Sequence, residues 1–497
     1  MSKQGYLCAI LLFTVMCWAD EPAPASASAA TQAPVTSGTQ PIRLGKILVQ
    51  GSFRTRFEDW NWFKGDTGDN SYAYSGNILR LSLSESFESF DWQLEFAAPF
   101  LLGLPDNAVA SGTQGQFGFG ATYYVANNKS QYSAMPFAKQ GFLRFKSGSQ
   151  TFRFGRFEFL DGSEVTPKDA TLAAVKRDRI QQRLLGNFGW AHVGRSFDGF
   201  QYLYSKPSGT FTLVGARPTR GAFQTDGWGE LNIAFGYAAY TKPWTSGAYT
   251  SETRLLGLYY DDWRPILKTD NRPTAARRTD LDNIRIYTFG GHHLSTLATK
   301  AAAVDFLAWG VGQAGQWGRL DHRAYAIDFE AGLQPRILAK LKPWVRGGYT
   351  LGSGDGNPND KTHGTFFQIL PTPRPFARFP FFNMENSRDI MGSLILRPHR
   401  KVTTSTEFHA LALANRNDLW YTGGGAFQPW TFGYTGRSAS GAKSLANLWD
   451  TSVEYRLRPD ITATAYIGYA QGEAVTNAIY PKGKNGALGY VELNYRF

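Results

Sequence analysis

Basic side chains in this chain fall at alternate positions within segments whose other residues are apolar. In Gln50–Glu58, Arg54 and Arg56 share their parity with Gln50, Ser52 and Glu58, while Phe53 and Phe57 take the other. Arg80 sits among Leu79, Leu81 and Leu83, and Phe90–Phe96 sets Asp91, Gln93 and Glu95 against four apolar residues. Phe142–Lys146, the turn Ser147-Gly148-Ser149 and Thr151–Arg156 read as a hairpin with Leu143, Phe145, Phe152 and Phe154 on one face. Arg144, Lys146, Arg153 and Arg156 are expected on the other. Val453–Arg458 and Ile461–Ile467 repeat the pattern around Pro459-Asp460, with Glu454, Arg456 and Arg458 on one side. A guanidinium grips a carboxylate through two parallel hydrogen bonds, so a row of them offers an anion many exchangeable sites. Weak, repeated contacts suit passage, whereas one tight site would trap the solute. The same rows hold acids, which pair across neighbouring strands and stiffen the wall while leaving a positive excess.

Elements that could hold such rows must alternate sides residue by residue, which only strands do. The last residues, Val491-Glu492-Leu493-Asn494-Tyr495-Arg496-Phe497, place Val491, Leu493, Tyr495 and a terminal Phe497 together. This pattern fits a strand with lipid on one face and water on the other, ending as bacterial outer-membrane strands do. No apolar run is long enough for a membrane helix, yet aromatics make up 15% of the chain and glycine 53 residues. A wall in which every second residue is apolar accounts for that composition. The expected fold is all-β: a transmembrane antiparallel barrel with long extracellular loops and short periplasmic turns. At roughly 25 residues per strand with its connection, it would hold about 18 strands. It should be one domain, because a barrel closes as a unit.

Lys3, the apolar stretch Tyr6–Trp18 and Ala19-Asp20 predict a secretory signal over residues 1–19. The Ala/Pro/Ser/Thr-rich residues 20–44 are expected to be a disordered leader, with the barrel over 45–497. Both cysteines, Cys8 and Cys17, lie in the signal, so the exported chain has no disulfide. The formal charge is +12, and an exported basic chain points to anionic solutes rather than nucleic acid.

Three stretches resemble the alginate-export family of outer-membrane barrels. Phe154-Gly155-Arg156-Phe157-Glu158-Phe159 resembles its strand ending in a glycine-arginine pair, and Gly194-Arg195-Ser196-Phe197-Asp198-Gly199 its Arg-Ser-Phe-Asp-Gly motif. Gly352–Asp360 with His363-Gly364-Thr365-Phe366 resembles its long loop after a glycine-rich strand. The resemblance runs from about Gly45 to Phe497. It implies a monomeric 18-stranded barrel in the bacterial outer membrane, whose arginine-rich lumen lets a polyuronate leave the cell. Arg156, Arg195 and Asp198 are carried over as conduit residues, and strand parity adds Arg54, Arg80, Arg144, Arg153 and Arg456. The inward acids Asp91, Glu95, Glu158 and Glu454 depart from a purely basic lumen. Expected partners are outer-membrane lipid and lipopolysaccharide, an anionic oligo- or polysaccharide, the barrel-assembly machinery through the C-terminal strand, and periplasmic export proteins. A substrate-specific or general uptake porin for small solutes would carry the same wall, as would, less readily, an outer-membrane enzyme or an adhesin.

The remaining constellations are weaker. Asp355, Asn357, Asn359 and Asp360 alternate oxygen ligands as calcium favours, but Pro358 interrupts them and no distal glutamate follows, so a turn-rich loop is expected and no cofactor. His292-His293 point to opposite faces of a strand. Lumenal Tyr466 and Tyr490 could stack on sugar rings or simply fill space. Arg374, Arg378 and Arg388, near four prolines, are expected in a long loop over the mouth, and Arg264–Asp282 reads as another loop. No G-x-S-x-G, H-E-x-x-H or phosphate loop is present, and His399, His409 and Ser405 form only a loose hydrolytic set, so an enzyme is not expected.

Overall fold

The computed structural model describes residues 41–497; the signal and most of the leader lie outside the described residues. Leu-, Phe- and Tyr-rich alternation builds eighteen long strands. They are β1 (Ile47–Asn61), β2 (Ser71–Ser86), β3 (Phe90–Leu102), β4 (Phe137–Ser147), β5 (Gln150–Phe157) and β6 (Phe197–Lys206). Next come β7 (Gly209–Pro218), β8 (Ile233–Ser246), β9 (Tyr249–Asp262), β10 (Ile284–Ala298), β11 (Ala302–Trp317) and β12 (Leu320–Pro335). β13 (Trp344–Gly352), β14 (Ser387–His399), β15 (Val402–Leu413), β16 (Ser444–Arg458), β17 (Ile461–Gly472) and β18 (Asn485–Arg496) complete the set. Each pairs antiparallel with the next, and β18 pairs with β1 from Ser52↔Arg496 to Asn61↔Ala487. Phe497 exchanges two backbone hydrogen bonds with Gly51, so the chain's last residue is stitched to its first long strand. The short strand Ile42–Leu44 folds back on Ile47–Val49, extending order into the end of the expected leader.

One rim is made of tight turns such as Gly148-Ser149, where Gly148 takes φ +56°, and Pro459-Asp460. The other rim carries the long connections, notably residues 103–136, 158–196, 353–386 and 414–443. Strand parity follows the sequence: in β12, Tyr325, Phe329 and Leu333 are exposed while His322, Asp328 and Glu330 are buried. Arg458 and Arg388 depart from their expected places. A register shift between Arg456 and Arg458 sends Arg458 to the turn, where it pairs with Asp460. Arg388 is not in the loop but on β14, facing outward.

The packed core lies inside the barrel and is made by the long connections. Residues 158–196, with helix α1 (Ala170–Arg179), and residues 353–386 lie side by side through Gly186 N→Leu370 O, Leu370 N→Leu184 O and Thr372 N→Gln182 O, a short parallel ribbon. Around it, Phe366, Phe367, Ile369, Phe376, Phe379, Phe381 and Phe382 are buried against Trp62, Phe63, Phe119, Phe188 and the hairpin Leu419–Thr422/Thr435–Ser438. Aromatic packing of this kind fills the lumen on the side of the long connections.

Because the outer face meets lipid, its cost for charge depends on depth. Phe289→Arg, at mid-strand in β10, should lower the barrel's unfolding free energy by about 2–4 kcal/mol, whereas Leu297→Arg near the turn should cost about 0–1 kcal/mol. Urea titration of folding in lipid vesicles checks both, and equal costs would show that the parity or the membrane position is misplaced.

Candidate lumenal site

The charged residues divide the lumen into tethers and free cations. Arg54 donates to the carbonyl oxygens of Gly189 (2.9 Å) and Ala191, so it holds the 158–196 loop against the wall. Arg56 meets Glu492 of β18 at 2.6 Å, an ion pair that closes the barrel seam from inside. Arg80 lies between Glu95 and Glu158 (2.7 Å to the latter), and Lys139 also reaches Glu158 at 3.5 Å. Arg144 forks onto Asp91, which also holds Lys146 at 2.6 Å. The inward acids thus neutralise much of the row that the sequence picks out.

A second set, which strand parity did not reveal, belongs to the inserted loop. Lys176–Glu252 (2.6 Å), Arg179–Glu330 (2.7 Å), Arg183–Asp328 (2.6 Å) and Glu164–Arg254 (2.6 Å) fasten α1 and its flanks to β9 and β12. All eight side chains are almost fully buried. The signal for them was the dense charge run Lys176-Arg177-Asp178-Arg179 in a segment lacking strand alternation. His192 sits 2.9 Å from Glu58, and burial pushes its ring down to about 4, leaving it neutral at pH 7. Arg195, also in the loop, donates to the carbonyl oxygens of Pro371 and Gly425. With no carboxylate beside it, burial lowers its guanidinium to about 10.

Arg156 and Asp198 are brought together but not in the lumen. They are register partners, joined by two 2.7 Å hydrogen bonds, and Gly155 faces Gly199 one step away. Asp198 is also opposite Arg217, on the parity of exposed Phe211 and Leu213, while Phe197, Val214 and Ala216 face in. The pair therefore lies on the outer face near the long-loop rim, where Arg156 also reaches the carbonyl oxygen of Trp228 at 3.2 Å. The expected alternation fails there because Arg153 and Arg156 are three residues apart and cannot share a face of one regular strand. The two family-like motifs are in fact neighbours across one ladder.

Arg153 does point inward, its guanidinium 4.2 Å from the Phe157 ring centre. Arg456 and Arg496 also face the lumen at the tight-turn end, on the parity of Ser452 and Ser52 respectively. Arg378 lies over Tyr466, and Arg397 lies 5.8 Å from the Trp344 ring centre. Among the described residues, none of these five has a carboxylate in ion-pair contact. Of the five, Arg378 lines a cavity of about 90 Å³ beneath the loops, together with Ser393, Thr403, Glu407, Asp450, Ser452, Glu454 and Tyr466 among others. Tyr466 and Tyr490 stack on each other (4.7 Å, 24°), buried, which is the filling role.

In the 353–386 loop, Asp355, Asn357 and Asp360 accept the backbone N–H groups of Asn357, Asn359 and Thr362 respectively. Their oxygens are turned to the chain's own backbone, as a turn-rich loop requires. His292 faces in toward Glu252 and His293 out toward Thr253.

The alginate-export family model matches residues 135–480. No curated protein sequence matches the chain. Among solved structures, the outer-membrane protein OpdK of Pseudomonas aeruginosa aligns with TM-score 0.54 at 8% identity, covering 90% of this chain and 98% of that one. OccK9 (OpdG) of the same organism gives 0.55 at 8%, covering 91% and 98%. OccAB4 of Acinetobacter baumannii gives 0.52 at 8%, covering 94% and 100%. These likenesses concern the fold; with the match over most of the chain, this outer-membrane β-barrel belongs to the alginate-export family.

Proposed function

We propose that this barrel is an outer-membrane channel for an anionic saccharide of the uronate class, admitted through a lumen whose upper half is closed by its own loops. The observation that carries this reading is the set of inward guanidinium groups with no carboxylate in ion-pair contact among the described residues, Arg153, Arg378, Arg397, Arg456 and Arg496. A uronate carries roughly one carboxylate per sugar, and each could exchange between neighbouring guanidinium groups without being held by any one. The loop tethers supply the gate. Removing one partner of a buried pair leaves the other charge uncompensated, at about 3–5 kcal/mol, so the loop stays in place unless a tether is broken. A second reading, passage of small organic anions, is favoured by the packed loops, which a polymer must displace.

In planar bilayers the refolded protein is expected to be anion-selective and blocked by oligouronates. Arg153→Glu combined with Arg456→Glu should shift the reversal potential toward cations, while Arg156→Glu, on the outer face, should leave selectivity unchanged. Cation selectivity in the native protein, or a dominant effect of Arg156→Glu, would overturn the assignment. Liposome influx of mono- and oligouronates separates the two readings, since a small-anion channel admits only the former. Arg183→Ala should raise conductance or open probability several-fold by freeing the loop from Asp328, with the barrel intact by heat-modifiable mobility; an unchanged current would remove the tether from the gating account.

A further inference from the structure

One cluster in the lower lumen is unused by this account. His409 and Glu407 lie two residues apart on β15 and both face in; Asp450 of β16 stands directly opposite Glu407. The imidazole Nε2, the Glu407 carboxylate and the Asp450 carboxylate present ligand atoms all within 4.8 Å of one another. Two like charges in register on adjacent strands repel unless a cation lies between them. Glu407 has no arginine or lysine in ion-pair contact among the described residues, and its approach to His409 Nε2 is 3.9 Å, too long for a hydrogen bond. Arg179 is engaged with Glu330 and the Phe376 carbonyl oxygen, and the Arg378 guanidinium lies against Tyr466 and Tyr490.

The imidazole is oriented from behind. Its Nδ1 lies 2.7 Å from Asp389 of β14, so in the neutral ring, the form that binds a metal, a proton on Nδ1 donated to that carboxylate leaves the lone pair on Nε2. Nε2 belongs to a residue with no exposed surface, has no hydrogen-bond partner, and is aimed at Glu407 and Asp450. A carboxylate–histidine pair with a free imidazole nitrogen facing two further carboxylates is the donor set of a borderline divalent metal ion. The 3.9 Å nitrogen–oxygen spacing is wider than the roughly 3.4 Å that two ligand bonds of about 2.0–2.2 Å subtend at a tetrahedral ion, so binding draws the ligands together by a few tenths of an ångström.

We propose that Glu407, His409 and Asp450 bind a divalent transition-metal ion of the zinc class, with Asp389 as the positioning residue. Glu407 and Asp450 line the lower cavity, so the ion enters from the tight-turn side and keeps a coordination position open to water. The site also touches the inserted loop, because Asp450 accepts the N–H groups of Arg378 (2.9 Å) and Phe379 (3.2 Å) as well as the Tyr466 hydroxyl. Binding would neutralise two carboxylates in the cavity and brace the segment that carries Arg378.

The test is titration of the full-length, chelator-treated barrel in detergent with Zn²⁺ by calorimetry, and with Co²⁺ by visible absorption. One equivalent should bind, with a ligand-field band for Co²⁺. His409→Gln and Glu407→Gln should each abolish it, Asp389→Asn should weaken it about 10–100-fold, and His292→Gln, in another buried histidine–carboxylate pair, should leave it unchanged. Heat-modifiable mobility reports folding, and Glu407→Gln serves if His409→Gln does not fold. Absence of stoichiometric binding to the native barrel, or binding that survives Glu407→Gln, would overturn the site and leave His409 as an ion-pair partner of Asp389.

Discussion

Backbone hydrogen bonding in a medium without water is the constraint from which the rest of this structure follows. Every N–H and C=O of the wall must find a partner within the sheet, and only closure removes the last free edge. The seam between β18 and β1 does this, with Phe497 bonded to Gly51 and the Glu492–Arg56 pair inside it. Closure then forces each side chain to face lipid or lumen, and alternation is the only pattern that satisfies both.

Closure creates a second problem, which the loops solve. An eighteen-stranded ring is too wide for its own side chains to fill. Here the space is taken by residues 158–196, 353–386 and 414–443, which pack aromatic cores against one another and cross-link through backbone ribbons. Buried ion pairs at Lys176, Arg179, Arg183 and Arg254 fix the first of these segments to the wall. Such pairs add little net stability over apolar packing but punish any state in which one partner is left alone. That asymmetry favours a loop that is either seated or wholly released.

The charge arrangement follows the same division. Arginines near the loops serve as anchors, to carbonyl oxygens for Arg54 and Arg195 and to carboxylates for Arg80. Toward the tight turns, Arg144 is held by Asp91 and Arg458 by Asp460, whereas Arg456 and Arg496 have no carboxylate in ion-pair contact among the described residues. An anion approaching from the turn side meets guanidinium groups before it meets the loop core.

Alternation alone determined the strands, the lipid face of Val491, Leu493 and Tyr495, the tight turns at Gly148-Ser149 and Pro459-Asp460, and the inward course of Arg54, Arg80, Arg144, Arg153 and Arg456. That information is local, because a period of two is enforced residue by residue. Tertiary structure alone decided that Arg156 and Asp198 pair across a ladder on the outer face, that Arg54 and Arg195 anchor loops, and that Asp389, Glu407, His409 and Asp450 converge from three strands. Those outcomes depend on register between segments tens to hundreds of residues apart and on how long loops fill a cavity, neither of which leaves a periodic trace in the chain.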